Sequence, residues 1–356
     1  MDHIQYMRRA YVLATKGWGR TSPNPMVGAV IVKAGKIIAE GWHARCGADH
    51  AEAMALKKAG ARAKGADLYV TLEPCSHYGR TPPCLDAIIC AGIRKVYVGV
   101  LDPNPLMNGK SIKFLRKAGI SVEIGFLQKE LTRLNEAFNK WVTTDMPLVV
   151  AKTAQTLDGK IATLSGESKW ITSQASRDFA RGLRFSFDAI AVGVNTVLKD
   201  DPALTSTPLK HLKKVIFDSD LKTPANAKIF KDTHKEDIII FTTSKASARK
   251  MRALSRKADI IAVPAKGKRV DLRLALKILA RRQITAILIE GGAALIGGAL
   301  KEDVVDKMML YVAPKIMGEG LSSVRGLHVK KLSRAIVLKN TAVGNIGEDI
   351  FIEGYL

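Results

Sequence analysis

Three short pieces of this chain carry side chains suited to holding a metal ion. They are His50-Ala51-Glu52, Pro74-Cys75 and Cys84, with eight residues (SHYGRTPP) between the two cysteines. Zinc takes imidazole and thiolate donors, and a catalytic zinc keeps three protein ligands and leaves one position for water. His50, Cys75 and Cys84 supply such a set for one Zn2+ per chain. Glu52 sits two residues from His50 and cannot readily ligate the same ion, so it is placed to shuttle protons as the catalytic acid/base. H-x-E followed by P-C is the signature of zinc deaminases, where metal-bound hydroxide attacks an amino-bearing ring carbon. The usual second cysteine follows after two residues, and here the gap is longer. A structural zinc with His77 as fourth ligand is the competing account of the same residues.

The elements around these residues alternate between strand and helix. Val27–Val32 and Lys36–Trp42 read as strands joined at Ala34-Gly35, and Ala51–Ala63 as a helix opening at His50. Asp67–Leu72 is a strand ending just before Pro74-Cys75, and Pro82–Ala91 a helix that begins near Cys84. Both His50 and Cys84 then lie at helix N-termini, where the positive end of the dipole favours a thiolate. A strand at Lys95–Val100, a helix from about Asn108 to Ala118, a strand at Ile120–Ile124 and a helix at Gln128–Trp141 complete the pattern. Strands separated by such helices predict a mixed sheet with helices on both faces.

A boundary is expected near Thr143–Pro147, dividing the chain into domains of residues 1–146 and 147–356. The second half is again α/β, with strands at Leu148–Thr153, Ala189–Gly193, Lys214–Asp218, Asp237–Thr242, Ile260–Val263, Thr285–Glu290, Val304–Val312 and Asp349–Gly354. Glu290 ends one of these strands and leads through Gly291-Gly292 into a helix start. Glycines there let backbone N–H groups approach a phosphate at the positive helix end.

Composition narrows the class. The chain has 356 residues, 47% hydrophobic and 25% charged, as expected of globular domains with real cores. Its N-terminus has no signal-peptide character, and the apolar run Ile284–Leu300 is broken by Glu290 and two Gly-Gly pairs, so a cytoplasmic enzyme without membrane association is expected. Only four cysteines occur, and Cys46 and Cys90 read as small core residues. The net charge of +23 is spread over both halves, including the run Lys245–Lys257 on what reads as a solvated helix. A lysine-rich surface accounts for this, as does a phosphate-bearing ligand steered by a positive field. No aromatic-interleaved basic stripe of the base-stacking kind is present, so no nucleic-acid partner is expected. An alternative keeps the deaminase and makes its substrate a base in RNA.

The stretch Thr71–Cys84 (TLEPCSHYGRTPPC), with Ser22–Gly28 (SPNPMVG) and His50–Glu52, resembles the bifunctional deaminase/reductase family of riboflavin biosynthesis. In that family the long gap between the cysteines is the rule. The second half resembles the same family through Lys152–Ile161 (KTAQTLDGKI), Ser165–Thr172 (SGESKWIT), Asp200–Thr205 (DDPALT) and Glu290-Gly291-Gly292. The resemblance implies a cytidine-deaminase-like domain followed by a dihydrofolate-reductase-like one. It implies deamination of 2,5-diamino-6-ribosylamino-4(3H)-pyrimidinone 5′-phosphate, then NADPH reduction of the ribosyl side chain to ribityl; separately, a homo-oligomer, dimer or higher, is expected.

By matching position, Asn24, His43, His77, Arg80, Asp102 and Asn104 would surround the first substrate. Asn24, Asp102 and Asn104 are equally consistent with turn chemistry. In the second domain the match puts Lys152, Ser168, Arg184, Leu204 and Glu290 against the substrate. It puts Ala154, Trp170, Thr196, Asp200, Ser219 and the run Gly292, Ala293, Ala294, Leu295, Ile296, Gly297 and Gly298 against the cofactor. Taken by itself, Trp170 reads as a core or groove aromatic. Where the family carries an arginine this chain has Thr207, with Lys210 the nearby cation that would replace it.

Overall fold

The computed structural model describes residues 2–76, 83–205, 212–231 and 233–356. His77 and Arg80, together with Thr207 and Lys210, lie outside the described residues. The chain divides into two compact units, Met1–Met146 and Pro147–Leu356.

In the first unit, strands β1 (Gly28–Lys33), β2 (Lys36–Trp42), β3 (Asp67–Leu72), β4 (Lys95–Val100) and β5 (Ser121–Ile124) form one sheet in the order β2-β1-β3-β4-β5. β1 runs antiparallel to β2 and β3, and β3, β4 and β5 are mutually parallel. Because successive strand residues point to opposite faces, the sheet feeds two cores. Ala29, Ile31, Leu68, Val70, Val96 and Val98 face one core, which helices α2 (Ala51–Ala59), α3 (Cys84–Cys90) and α4 (Lys110–Lys117) help fill through Ala55, Ile88 and Leu115. Val30, Val32, Tyr69 and Tyr97 face the other, beneath α1 (His3–Thr15), which contributes Tyr6, Met7, Ala10 and Leu13. Asp2 starts α1 in a capping box with Gln5.

A glycine governs the position of α2. A Cβ on Gly41 of β2 would lie 2.2 Å from the Ala51 carbonyl oxygen and 2.7 Å from Ala55 N. The bare backbone of β2 therefore lets the first turn of α2, with His50 and Glu52, rest directly on the sheet.

Several boundaries differ from those read in the sequence. The expected helix Ala51–Ala63 stops at Ala59, because Gly60 turns to φ 54 and a 3-10 turn carries the chain through Ala63. The single helix expected at Gln128–Trp141 is two, α5 (Gln128–Leu134) and α6 (Glu136–Thr144). The break at Asn135 lets its amide pair with another backbone segment: Oδ1 accepts from Met26 N at 2.8 Å and Nδ2 donates to Met26 O at 3.0 Å. Neither remaining cysteine is a core residue: Cys46 is half-buried and Cys90 is exposed near the end of α3.

The second unit is built on a nine-stranded sheet. Its order is Asp259–Ala262, Ile238–Thr242, Lys213–Phe217, Ala189–Gly193, Ala286–Ile289, Leu148–Thr156, Lys307–Ala313, Asp349–Tyr355, Lys339–Ile346. The first seven are mutually parallel, Asp349–Tyr355 runs antiparallel to them, and Lys339–Ile346 runs antiparallel to Asp349–Tyr355. Strands such as Ile238–Thr242 and Ala286–Ile289 are buried along their whole length, as parallel strands covered on both faces must be. The strand expected at Val304–Val312 begins at Lys307, since Val304 still bonds back to Ala299. Lys339–Ile346 was not anticipated; it is an exposed edge strand of sequence KNTAVGNI, with no buried face to impose alternation.

Candidate active sites

At the carboxyl end of β3 the chain leaves the sheet through Glu73-Pro74-Cys75, and at the start of α2 it presents His50. These elements and the first residue of α3 converge. His50 Nδ1 lies 3.5 Å from Cys75 Sγ and 3.3 Å from Cys84 Sγ, and the three ligand atoms lie within 4.8 Å of one another. A tetrahedral zinc with Zn–S of about 2.3 Å and Zn–N of about 2.0–2.1 Å makes an N···S edge of about 3.6 Å. The donor set fits that ion in chemistry and in spacing.

The electrostatics of the triangle agree. The Cys84 thiol, the His50 ring and the Cys84 backbone N–H (3.3 Å away) all direct hydrogen bonds at Cys75 Sγ and hold its pKa at about 4. The Cys84 thiol is pushed up by that hydrogen bond to Cys75 and by burial. Ionising Cys84 as well sets two thiolates side by side, which calls for a divalent cation between them. Glu52 is 3% exposed and in contact with Cys84, and burial followed by the charge of Cys75 pushes its carboxyl up to about 7.

His43 is buried behind this group, its ring edge-on to His50 at 5.3 Å. Its Nδ1 is 3.1 Å from the Asp49 carbonyl oxygen and its Nε2 is 3.1 Å from Asn24 Nδ2. Nδ1 therefore donates and Nε2 accepts, which is the neutral ring; burial lowers the His43 pKa accordingly. Asp102 and Asn104 occupy the turn after β4, where Asp102 Oδ1 accepts from Asn104 N at 2.9 Å and Asn104 Oδ1 from Leu106 N at 3.0 Å.

Glu73 is the residue that the sequence reading missed. Buried between β3 and Cys75, it accepts from Asp102 N, Gly109 N, Ser111 N and Ser111 Oγ at 2.7–3.1 Å. It ties the Cys75 segment to the Asp102 turn and to the start of α4. A single glutamate inside a quoted motif carries no sequence signal of that duty.

In the second unit, Glu290 follows the strand Ala286–Ile289 and Lys152 lies on the neighbouring Leu148–Thr156. Arg184 grips Glu290 with a two-pronged contact, Nε to Oε1 and Nη2 to Oε2, both 2.8 Å, and its Nη1 donates to Thr205 O at 2.6 Å. Lys152 has its pKa lowered by burial, opposed by the charge of Glu290, and its ammonium lies 5.4 Å from the Tyr311 ring centre. Lys152, Arg184 and Glu290 thus form one charged cluster. Leu204 adopts φ 49 and buries its side chain in the core with Ile190 and Val197, so only its backbone can face a ligand.

A cavity of about 460 Å³ runs along the carboxyl ends of the parallel strands, where open α/β sheets bind ligands. Of the expected ligand contacts, Ser168, Thr196, Asp200, Ser219, Gly292, Ala293, Ala294, Leu295 and Gly298 line it. Ile296 and Gly297 do not: Ile296 is buried in the helix's inner face, and a Cβ on Gly297 would lie 2.0 Å from Arg325 O. The helix Ala293–Lys301 turns those two positions away from the cavity. Ala154 sits within its strand opposite Tyr311. Trp170 is neither core nor cavity wall; it is 63% exposed, with the Arg177 guanidinium 4.5 Å from its ring centre.

The geometry defines a zinc-binding deaminase-type unit joined to a reductase-type α/β unit. The family described as cytidine and deoxycytidylate deaminase zinc-binding region matches residues 1–100, and that described as RibD C-terminal domain matches residues 147–352. The riboflavin biosynthesis protein RibD of Aquifex aeolicus is 45% identical over 350 residues, covering 98% of this chain and 96% of that protein. The solved structure of Acinetobacter baumannii RibD is similar with TM-score 0.89 and 36% identity, over 99% of this chain and 98% of that one. A Thermotoga maritima structure, described as a diaminohydroxyphosphoribosylaminopyrimidine deaminase/5-amino-6-(5-phosphoribosylamino)uracil reductase, has TM-score 0.83 and 36% identity over 99% and 98%. The chain belongs to the RibD family, bifunctional deaminase/reductases of riboflavin biosynthesis. No helix among the described residues is long and apolar enough to cross a membrane.

Proposed function

We propose that residues 1–146 deaminate 2,5-diamino-6-ribosylamino-4(3H)-pyrimidinone 5′-phosphate and that residues 147–356 then reduce the ribosyl group to ribityl with NADPH. The observation that carries the first step is the His50–Cys75–Cys84 triangle with Glu52 buried against it. Zinc bound there supplies Lewis acidity and an activated water. Glu52 takes a proton from water and returns protons to the ring nitrogen and the departing amine. Neutral His43, fixed between Asp49 O and Asn24, holds the Asn24 amide toward the ring. Glu73 keeps the segment bearing Cys75 in register. His77 and Arg80 are assigned to substrate binding by resemblance, Arg80 because a guanidinium grips phosphate or a carbonyl in two-pronged fashion.

In the second step the nicotinamide supplies a hydride, and the protein supplies position and charge. Lys152 and Glu290, braced by Arg184, face the reacting sugar, and Ser168 holds it at the cavity wall. Gly291 and Gly292, at φ 135 and 82, open the start of the following helix to the dinucleotide phosphates. Thr196, Asp200 and Ser219 line the rest of its path. Trp170, exposed beside Arg177, is assigned to the cofactor by resemblance. The exposed edge strand Lys339–Ile346 supports assembly of a homo-oligomer, and the cytoplasm is the expected compartment.

The test supplies the pyrimidinone phosphate with and without NADPH and follows ammonia and oxidised cofactor separately. Ammonia release without NADPH, and cofactor oxidation that depends on prior deamination, are expected. Glu52→Gln should keep its zinc and lose ammonia release, while still reducing the deaminated intermediate. Loss of both activities together would refute independent sites.

A further inference from the structure

The cavity runs from Gly292, two residues beyond Glu290, to a remote end at Ser219; Glu290, Lys152 and Arg184 are not among its lining residues. Glu290 follows the strand Ala286–Ile289. The sheet then passes through Ala189–Gly193 to Lys213–Phe217, after which come Asp218 and Ser219. Two strand spacings separate these ends, about 10 Å. A dinucleotide lying along the edge with its reactive ring toward Glu290 carries its adenosine to Ser219. This orientation rests on the reductase reading above.

The remote end is built from a hairpin and a loop. The hairpin pairs Ala265–Lys266 with Arg269–Val270, with Gly267 at φ 65 in its turn. It is strapped over the helix Ala293–Lys301 at two points: Lys266 Nζ lies 3.3 Å from Glu302 Oε2, and Arg269 Nη1 donates to Ala294 O at 3.0 Å. A third tie joins it to the loop, where Val270 N donates to Ser219 Oγ at 3.1 Å. The Ser219 hydroxyl proton has no protein acceptor among the described residues. Around it stand Lys222, Lys268 and Arg269, all lining the cavity. The opposing carboxylate, Asp220, is already held by Lys222 at 2.9 Å, and the field of Lys245 and Lys250 also reaches it. The other carboxylate there, Asp218, commits Oδ2 to Thr223 N and Oγ1 at 2.7 Å, and its Oδ1 is buried away from solvent with no hydrogen-bond partner among the described residues.

This arrangement bears on a definite chemical choice. A bare carboxylate beside an adenosine ribose accepts from its 2′-hydroxyl and favours the unphosphorylated dinucleotide. Here that carboxylate is neutralised, and two further cations and a hydroxyl donor stand beside it. We infer that Lys268 and Arg269, with Ser219 and with Lys222 masking Asp220, form the subsite that recognises the 2′-phosphate of the cofactor. Arg269 is anchored by its bond to Ala294 O and offers its remaining N–H groups, whereas Lys268 contributes a point charge. The first cations of the Lys245–Lys257 run add to the local field, so part of the chain's positive charge has a ligand.

The test measures binding by the full-length protein of NADPH, NADH, adenosine 2′,5′-bisphosphate and adenosine 5′-monophosphate, titrated calorimetrically. The wild type is expected to prefer each 2′-phosphorylated ligand. Lys268→Gln/Arg269→Gln should weaken NADPH and the bisphosphate by roughly tenfold to a hundredfold, with NADH and the monophosphate within about twofold. Lys222→Gln, which unmasks Asp220 without touching the hairpin, should narrow the NADPH/NADH ratio in the same direction. Equal weakening of all four ligands, or none, would overturn the subsite and leave the reductase reading standing. A wild type that binds neither dinucleotide would overturn both.

Discussion

Gly41→Ala perturbs the deaminase centre without touching any ligand. The added Cβ would stand 2.2 Å from Ala51 O and 2.7 Å from Ala55 N, both backbone atoms of the helix that begins after His50. Backbone cannot swing aside as a side chain can, so α2 must lift off β2 until the closest contact opens to about 3.2 Å, a shift of about 1 Å. Overpacking of this kind costs about 1–3 kcal/mol. In a unit of this size that corresponds to a fall of about 2–12 °C in the melting temperature of the first unit. The larger effect falls on chemistry. His50 and Glu52 ride on the displaced turn, and a misplacement of about 1 Å can lower turnover by about a hundredfold. The assay is ammonia release from the pyrimidinone phosphate, with zinc content from plasma emission and far-ultraviolet dichroism to verify folding. Reduction of the deaminated intermediate should stay at the wild-type rate. A folded variant with full zinc and undiminished ammonia release would show that the close approach at Gly41 does not position the site.

Two other outcomes follow from the second unit. Arg184→Lys keeps the charge but cannot grip both Glu290 oxygens and Thr205 O; cofactor oxidation should fall at least about tenfold with ammonia release unchanged. Asp158 accepts from Thr156 Oγ1, Met317 N and Gly318 N, and the first of these leads in lowering its pKa to about 2 from 3.8. Its folded pKa lies below the unfolded value, so its contribution is complete above about pH 4 and fades as pH falls toward 2. Asp158→Asn should therefore be less stable in urea at neutral pH, with the gap to wild type closing across that window.

What the sequence made legible was chemistry carried by residue type and order. His50, Cys75, Cys84 and Glu52 announce themselves because imidazole, thiolates and a carboxylate in that order have few other uses, and the structure brings all four together. Buried strands such as Ile238–Thr242 are equally plain, since both faces demand apolar side chains. Features fixed by partners distant in the chain were not legible. Asn135 breaks a helix to bond Met26, 109 positions away. Glu73 works through backbone N–H groups, which leave no side-chain pattern. The resemblance implies one cofactor segment over Gly292–Gly298, but helical periodicity turns Ile296 and Gly297 inward. Lys339–Ile346 has nothing to alternate, because almost all of it is exposed.

X-ray absorption at the zinc K-edge of the purified protein tests the metal centre most directly. One zinc per chain is expected, with two sulfurs at about 2.3 Å, one imidazole nitrogen at about 2.0–2.1 Å and one further light atom exchangeable with solvent. A fourth protein donor closing the shell, or a spectrum unchanged in Cys84→Ser, would contradict a water-activating site.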